Sequence, residues 1–381
     1  MKIKLLIAVL LLFGVLTLAH ADINVGVSLC ATGPAASLGI PQKNTFPLLS
    51  ATIAGEKVNY IVLDDASDTT TAVKNARKLV SEDKVDLLIG SSITPNSLAM
   101  IDVAAESETP LISMAVATTI VAPMDAKRHW VFKVGQNDSQ MAGAVAGHMN
   151  TIGVKTVAFI GYNDAYGENW WKEFERAAET HHLQIVANER FNRTDTSVIG
   201  QILKIMSANP DAVLIAGSGT PSALPQKTLK EKGYKGKIYQ SHGAANSDFL
   251  RVCGKDCEGT FMPAGPILVA AQLPDSNPIK NSALEYINRY ETLYGPGSIT
   301  TFGGHAWDAG LLLANAVPSA LKKARPGTKE FRAALRDAVE QTKELYASQG
   351  VFNMTPADHL GFDDRARVMV RIEDGKWVLE R

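Results

Sequence analysis

The feature that most constrains this chain is an alternation of short β-rich apolar runs with stretches of helical periodicity. INVGVSL opens it, and VNYIVLDDAS follows. In TTTAVKNARKLVSED the apolar residues Ala72, Val73, Ala76, Leu79 and Val80 recur at helical spacing. VDLLIGSS, NSLAMIDVAAES and TPLISMA continue as strand, helix and strand. Such alternation requires a mainly parallel sheet covered by helices, because parallel strands are joined only by crossover connections. The pattern restarts after HWVFKVGQND, with a helix expected over 140–150, a strand at KTVAFIGYND and a helix over 168–180. LQIVANERF, SVIGQILKIMSANP, DAVLIAGSG, SALPQKTLKEKG and KIYQSHG extend this second unit to about 262. Further helices are expected over 281–294 and 306–323, and RVMVRIEDGKWVLE predicts a hairpin around Asp374-Gly375.

The first 21 residues stand outside this pattern. Lys2 and Lys4 precede an apolar run from Leu5 to Leu18, and Ala19-His20-Ala21 forms a small-x-small site. This is the anatomy of a signal peptide cleaved after Ala21, so the mature chain is expected outside the cytoplasm. The run is shorter than the roughly 20 apolar residues of a membrane span, and no other segment reaches that length. No cysteine follows the cut, so no lipid attachment is expected. Loss of Lys2 and Lys4 leaves 36 basic against 39 acidic residues. That balance, without a basic tract, argues against nucleic acid as a partner.

Three cysteines are too few to build a disulfide scaffold, but Cys253 and Cys257 sit in a polar turn and are expected to form a local disulfide. With no histidine or cysteine nearby, C-x3-C does not read as a metal site. Phosphate-loop, dinucleotide, zinc-protease and nucleophile-elbow motifs are all missing, so neither an enzyme nor a cofactor or metal is expected. His129, His148 and His359 read as isolated structural residues. Only His242 and His305 fall where a site is plausible, and His305 with Asp308 reads first as helix-start packing and second as a proton relay.

In open α/β sheets ligands sit beyond the carboxyl ends of the strands. Five such ends carry small polar residues: Ser91, Ser92 and Thr94; Ala115 to Thr118; Asn163 and Asp164; Ser218 to Thr220; Ser241 and His242. They suit a small anion or carboxylate, which backbone amides and hydroxyls can hold.

The turn from Val27 to Pro34, LLIGSSITPNS, TPLISMAVAT, GYNDAYGENW and FGGHAWDAG together resemble the solute-binding proteins of ATP-driven uptake systems, in the branched-chain-amino-acid-binding branch of the type I periplasmic binding fold. The resemblance implies two Rossmann-like lobes joined by a three-segment hinge, 22–139 with 263–348 and 140–262 with 349–381. It also implies a monomer that delivers its ligand to the permease subunits of an ABC transporter. By the family's pattern, Thr94 holds the ligand carboxylate, Ala115, Val116 and Ala117 add contacts, and Tyr166 comes from the second lobe; Ser92 and Thr220 join them as polar strand-end residues, and His242 completes the expected site. Leu38 stands where the family has an aromatic ring, and Ala117 lacks the expected hydroxyl. At the end of KIYQSHG, amino-acid binders place an acid that pairs the ligand's ammonium; here the match is His242. A buried ammonium without a counter-charge is costly. An α-amino acid is therefore not the expected ligand; HGAANSDFLRVCGKDCEGTFMPAGP also resembles the subgroup associated with uptake of aromatic acids, which implies a small aromatic carboxylate of benzoate, hydroxybenzoate or phenylpropanoid type, with Tyr166, Trp170, Phe302 or Trp307 available for stacking. An amino-acid binder and a ligand sensor for a membrane receptor are the alternatives.

Overall fold

The computed structural model describes residues 21–380, so the expected leader and its cleavage site fall almost wholly outside the described residues. The first lobe is built from β1 (Ile23–Leu29), α1 (Ala36–Thr45), β2 (Thr52–Ile53), β3 (Glu56–Asp64), α2 (Thr69–Ser81), β4 (Leu87–Gly90), α3 (Thr94–Glu106), β5 (Leu111–Ser113) and β6 (Val131–Lys133). Its sheet runs β2-β3-β1-β4-β5-β6. β1 lies inside it, paired in parallel with β3 and β4, and six of its seven residues are buried. That two-sided burial explains why INVGVSL reads as an almost continuous apolar run.

The second lobe comprises α4 (Asp138–Thr151), β7 (Thr156–Tyr162), α5 (Ala165–Thr180), β8 (Gln184–Phe191), α6 (Ile199–Ser207), β9 (Ala212–Ala216), α7 (Ala223–Glu231), β10 (Lys237–Gln240), α8 (Ser247–Cys253) and β11 (Phe261–Ala264). Then come α9 (Lys280–Tyr294), α10 (Thr301–Leu321), α11 (Lys329–Glu340), the short pair β12 (Leu345–Tyr346) and β13 (Val351–Phe352), and finally β14 (Val368–Glu373) and β15 (Lys376–Leu379). The second sheet runs β15-β14-β11-β10-β9-β7-β8. β14 and β15 form the antiparallel hairpin read from sequence, and Asp374 and Gly375 at its turn both have positive φ.

The chain passes between the sheets three times: after β6, after β11, and before β14. Ala306, Ala309, Leu312, Leu313, Ala316 and Val317 of α10 pack into the first-lobe core with β1 and β4. Phe352, Met354, Leu360, Phe362 and Ala366 join the same core, so the last passage falls later than position 349. α10 begins at Thr301 and not Ala306, because the Thr300 side chain caps it, accepting from the Gly303 amide at 3.1 Å. α1 has no apolar stripe to announce it and contains Pro41. It lies so close to the end of β1 that a Cβ on Gly39 would stand 2.0 Å from the Cys30 carbonyl oxygen.

The expected disulfide is not formed, and all three cysteines are free thiols. Cys253 ends α8, whereas the Cys257 thiol donates to the Gly254 carbonyl at 2.9 Å, so the local turn satisfies it without a covalent bond. Among the described residues no helix is long and apolar enough to cross a membrane.

Candidate ligand site

Both sheets direct the carboxyl ends of their parallel strands at one cavity of about 310 Å³ between the lobes. From the first lobe come Ser92, Ile93 and Thr94 after β4, Met114, Ala115 and Val116 after β5, Leu38 from α1 and Phe302 from α10. From the second lobe come Tyr166, Arg193, Ser218, His242 and Gly243. Six of the residues read from sequence therefore converge: Ser92, Thr94, Ala115, Val116, Tyr166 and His242. Two do not line the cavity. Ala117 is wholly buried among the side chains around α3. Thr220 turns its amide to the Ser37 hydroxyl at 3.2 Å, a bond that spans the two lobes.

The lining polar groups divide into committed and available ones. Ser92 Oγ accepts from the Cys30 amide and donates to Gln42, and the Ala115 amide donates to Ser113 Oγ at 3.1 Å. These groups shape the wall. Thr94 Oγ1 is 1% exposed as a residue and has no protein partner. Tyr166 OH lies 2.9 Å from Ser241 Oγ, whose own proton goes to the Gly217 carbonyl, so the phenol is the donor in that pair. Burial and the nearby Asp138 carboxylate hold this phenol well above its ordinary range, so it stays protonated. Gly243 permits that arrangement: a Cβ there would sit 2.5 Å from the Gly217 carbonyl oxygen and 2.6 Å from Tyr166 OH.

His242 is 1% exposed, and neither ring nitrogen has a hydrogen-bond partner within the protein. Burial, with the positive fields of His305 and Lys133, pushes its pKa down to about 3. It is thus a neutral imidazole at ordinary pH, with one N–H and one lone pair to offer. Its Nε2 lies 3.7 Å from Asp138 Oδ1, and Trp170 packs 5.6 Å from its ring. Asp138 is fully buried, accepts from Asn169 Nδ2 at 2.6 Å, and shares the field of Lys133, whose ammonium donates to the Val116 carbonyl. Burial drives the Asp138 carboxyl up and the Lys133 ammonium down. Neither lines the cavity.

Arg193 was not singled out from sequence. It follows β8, and its guanidinium lies 4.1 Å over the Tyr162 ring. Nε donates to Asp164 Oδ2 and Nη1 to Ser218 Oγ, each at 2.7 Å. Asp164 also caps α5, accepting from the Tyr166 amide at 2.9 Å, so one carboxylate sets both Arg193 and Tyr166. Among the described lining residues Arg193 is the one with a permanent charge. Its remaining N–H groups are available to an anion in the cavity. Trp170 and Trp307 do not reach the site; Trp307 packs on Tyr286 at 5.4 Å.

A family model described as periplasmic binding protein matches residues 22–376. The "Leu/Ile/Val-binding protein homolog 3" of Brucella melitensis is 24% identical over 270 residues, covering 68% of this chain and 73% of that protein. An extracellular ligand-binding receptor from Rhodopseudomonas palustris HaA2 superimposes with a TM-score of 0.92 at 47% identity, covering 94% of this chain and 100% of that one. A solute-binding protein of an R. palustris ABC transporter, solved in complex with benzoate, shares the fold with a TM-score of 0.81 at 20% identity, covering 94% and 95%. Two lobes with mainly parallel sheets, a cavity at their strand ends and a family match over residues 22–376 lead to one assignment: the chain belongs to the periplasmic binding proteins, in the type I, branched-chain-amino-acid-binding branch.

Proposed function

We propose that the protein is a periplasmic receptor that binds a small aromatic carboxylate and delivers it to the permease subunits of an ABC transporter, without catalysing a reaction. The observation that carries this reading is the charge of the cavity wall. It presents the Arg193 guanidinium, the Thr94 hydroxyl and the neutral His242 imidazole, with Leu38, Ile93, Met114, Val116 and Phe302 as an apolar remainder. A carboxylate pairs with Arg193, and a flat apolar body fills the rest. His242 then meets a ring hydroxyl or a second acceptor. Among the described residues no acid lines the cavity to meet an α-ammonium, which disfavours a zwitterionic amino acid. The benzoate complex of the R. palustris protein agrees with this ligand class.

Amino-acid binding is the second reading, favoured by the Leu/Ile/Val-binding relatives and by Asp138, which stands 3.7 Å behind His242. A thermal-shift screen of refolded, ligand-free protein separates the two. Benzoates, hydroxybenzoates and phenylpropanoid acids are expected to raise the melting temperature, because a ligand that binds only the native state stabilises it. A strong shift with leucine or valine and none with aromatic acids would overturn the proposal.

A further inference from the structure

Far apart in sequence, His129, Glu340 and His359 converge in the first lobe, with their three potential ligand atoms within 4.8 Å of one another. His129 lies in the turn Arg128–Trp130 that enters β6, Glu340 is the last residue of α11, and His359 lies on the segment that covers the β6 edge. The Lys133 amide donates to the His359 carbonyl at 3.1 Å, fixing that cover in place.

The protonation logic of His359 points to a cation. Its Nδ1 lies 2.8 Å from the Val131 carbonyl oxygen, which can only accept, so Nδ1 carries the hydrogen. In the neutral ring the Nε2 lone pair then faces Glu340 Oε1 at 3.0 Å. Two lone pairs that close, around a fully buried imidazole, need a positive centre between them. A proton would satisfy the pair alone. The third group favours a metal: His129 Nδ1 approaches the same Oε1 to 3.7 Å. The Arg336 guanidinium also lies near His129. Arg336 itself is paired with Asp337 and stacked on Trp130 at 4.4 Å, so its charge is partly neutralised.

We propose that His129, Glu340 and His359 form a binding site for a divalent transition-metal ion, with Zn²⁺ the best match. Nitrogen and carboxylate ligands at about 2.0–2.2 Å from zinc lie roughly 3.4 Å apart in a tetrahedral site, close to the two short separations here. His129, with 41% of its side chain exposed, is free to move the remaining distance. The Val131 carbonyl supplies the outer hydrogen bond that orients a metal-bound imidazole, and Phe132, stacked 4.2 Å from the His359 ring, holds its plane. Three protein ligands leave a fourth position for water. A bound ion would pin the covering segment, α11 and the entry to β6 to one another.

The test is calorimetric titration of chelator-treated mature protein with ZnCl₂ at pH 7.5, with MgCl₂ as the hard-cation control, alongside thermal melting. One Zn²⁺ per chain and a rise of several degrees in Tm are expected, with no response to Mg²⁺. His129→Ala, at a partly exposed position, and Glu340→Gln should each weaken Zn²⁺ binding by at least tenfold. A mutant melting curve without metal shows whether each variant is folded. No binding by the wild type, equal binding of Mg²⁺, or Zn²⁺ affinity unchanged in folded His129→Ala and Glu340→Gln would overturn the proposal.

Discussion

Under the proposed function, Arg193 and His242 divide the work of recognition between a fixed charge and a neutral imidazole, both of which line the cavity. Arg193→Gln keeps hydrogen-bonding capacity but removes the charge, and is expected to weaken aromatic-carboxylate binding by tenfold or more in a calorimetric titration, about 1.4 kcal/mol. His242→Glu sets a second anion opposite the ligand, and a loss of more than tenfold in affinity is expected there too; an unchanged Kd would place His242 outside the binding contacts. Since His242 titrates near pH 3, it leaves affinity flat between pH 5.5 and 8. Its effect on stability has a definite sign. The folded pKa lies below the ordinary 6.5, so the unfolded chain takes up the proton first, and stability falls as pH drops below about 6.5. His305, also pushed to about 3, first by burial and then by Lys133, acts in the same direction. His242 was legible from sequence because it follows an evident strand and replaces an expected acid. Arg193 was not, because a lone arginine after a strand resembles any solvated surface residue.

At the scale of elements, caps and helix ends carry the site. Asp164 holds the first turn of α5 and the Arg193 guanidinium with its two oxygens. Asp164→Ala should lower stability by about 1 kcal/mol through the lost cap and weaken ligand binding further, because Tyr166 and Arg193 both lose their anchor. Asp164→Asn should retain most of the stability and still lose affinity, a split read by melting and titration of the same samples. In α10, burial pushes Asp308 up to about 7, against the hydrogen bond from the Ser348 amide. This group favours the folded state when protonated, so its stabilising effect is complete below about pH 4 and fades as pH rises toward 7. Asp308→Asn is therefore expected to melt higher than wild type at pH 8, with the difference gone at pH 4. The periodic elements α2, α5 and α9 were readable because each shows one apolar stripe. α1 hides because tight packing at Gly39, and not a stripe, fixes it against β1.

At the scale of the whole molecule, the cavity exists only because two sheets present their strand ends to each other. The Thr220 amide meets Ser37 across the cleft, and Gly219 lies so near that a Cβ would stand 2.6 Å from Ser37 Oγ. This is a closed arrangement, and ligand is expected to favour it by population shift. Small-angle scattering should show a larger radius of gyration without ligand, contracting on addition of the aromatic acid. Gly219→Leu, which obstructs closure, should abolish the contraction and weaken binding. The sequence alone determined the α/β alternation, the hairpin and the polar strand ends, because side-chain periodicity records which face of each element is buried. Tertiary structure decided what meets what. Arg193 joins Thr94, and His129 joins His359, through strand order and the three passages between the sheets. Those follow from how the cores pack across long separations, and no local pattern encodes that choice.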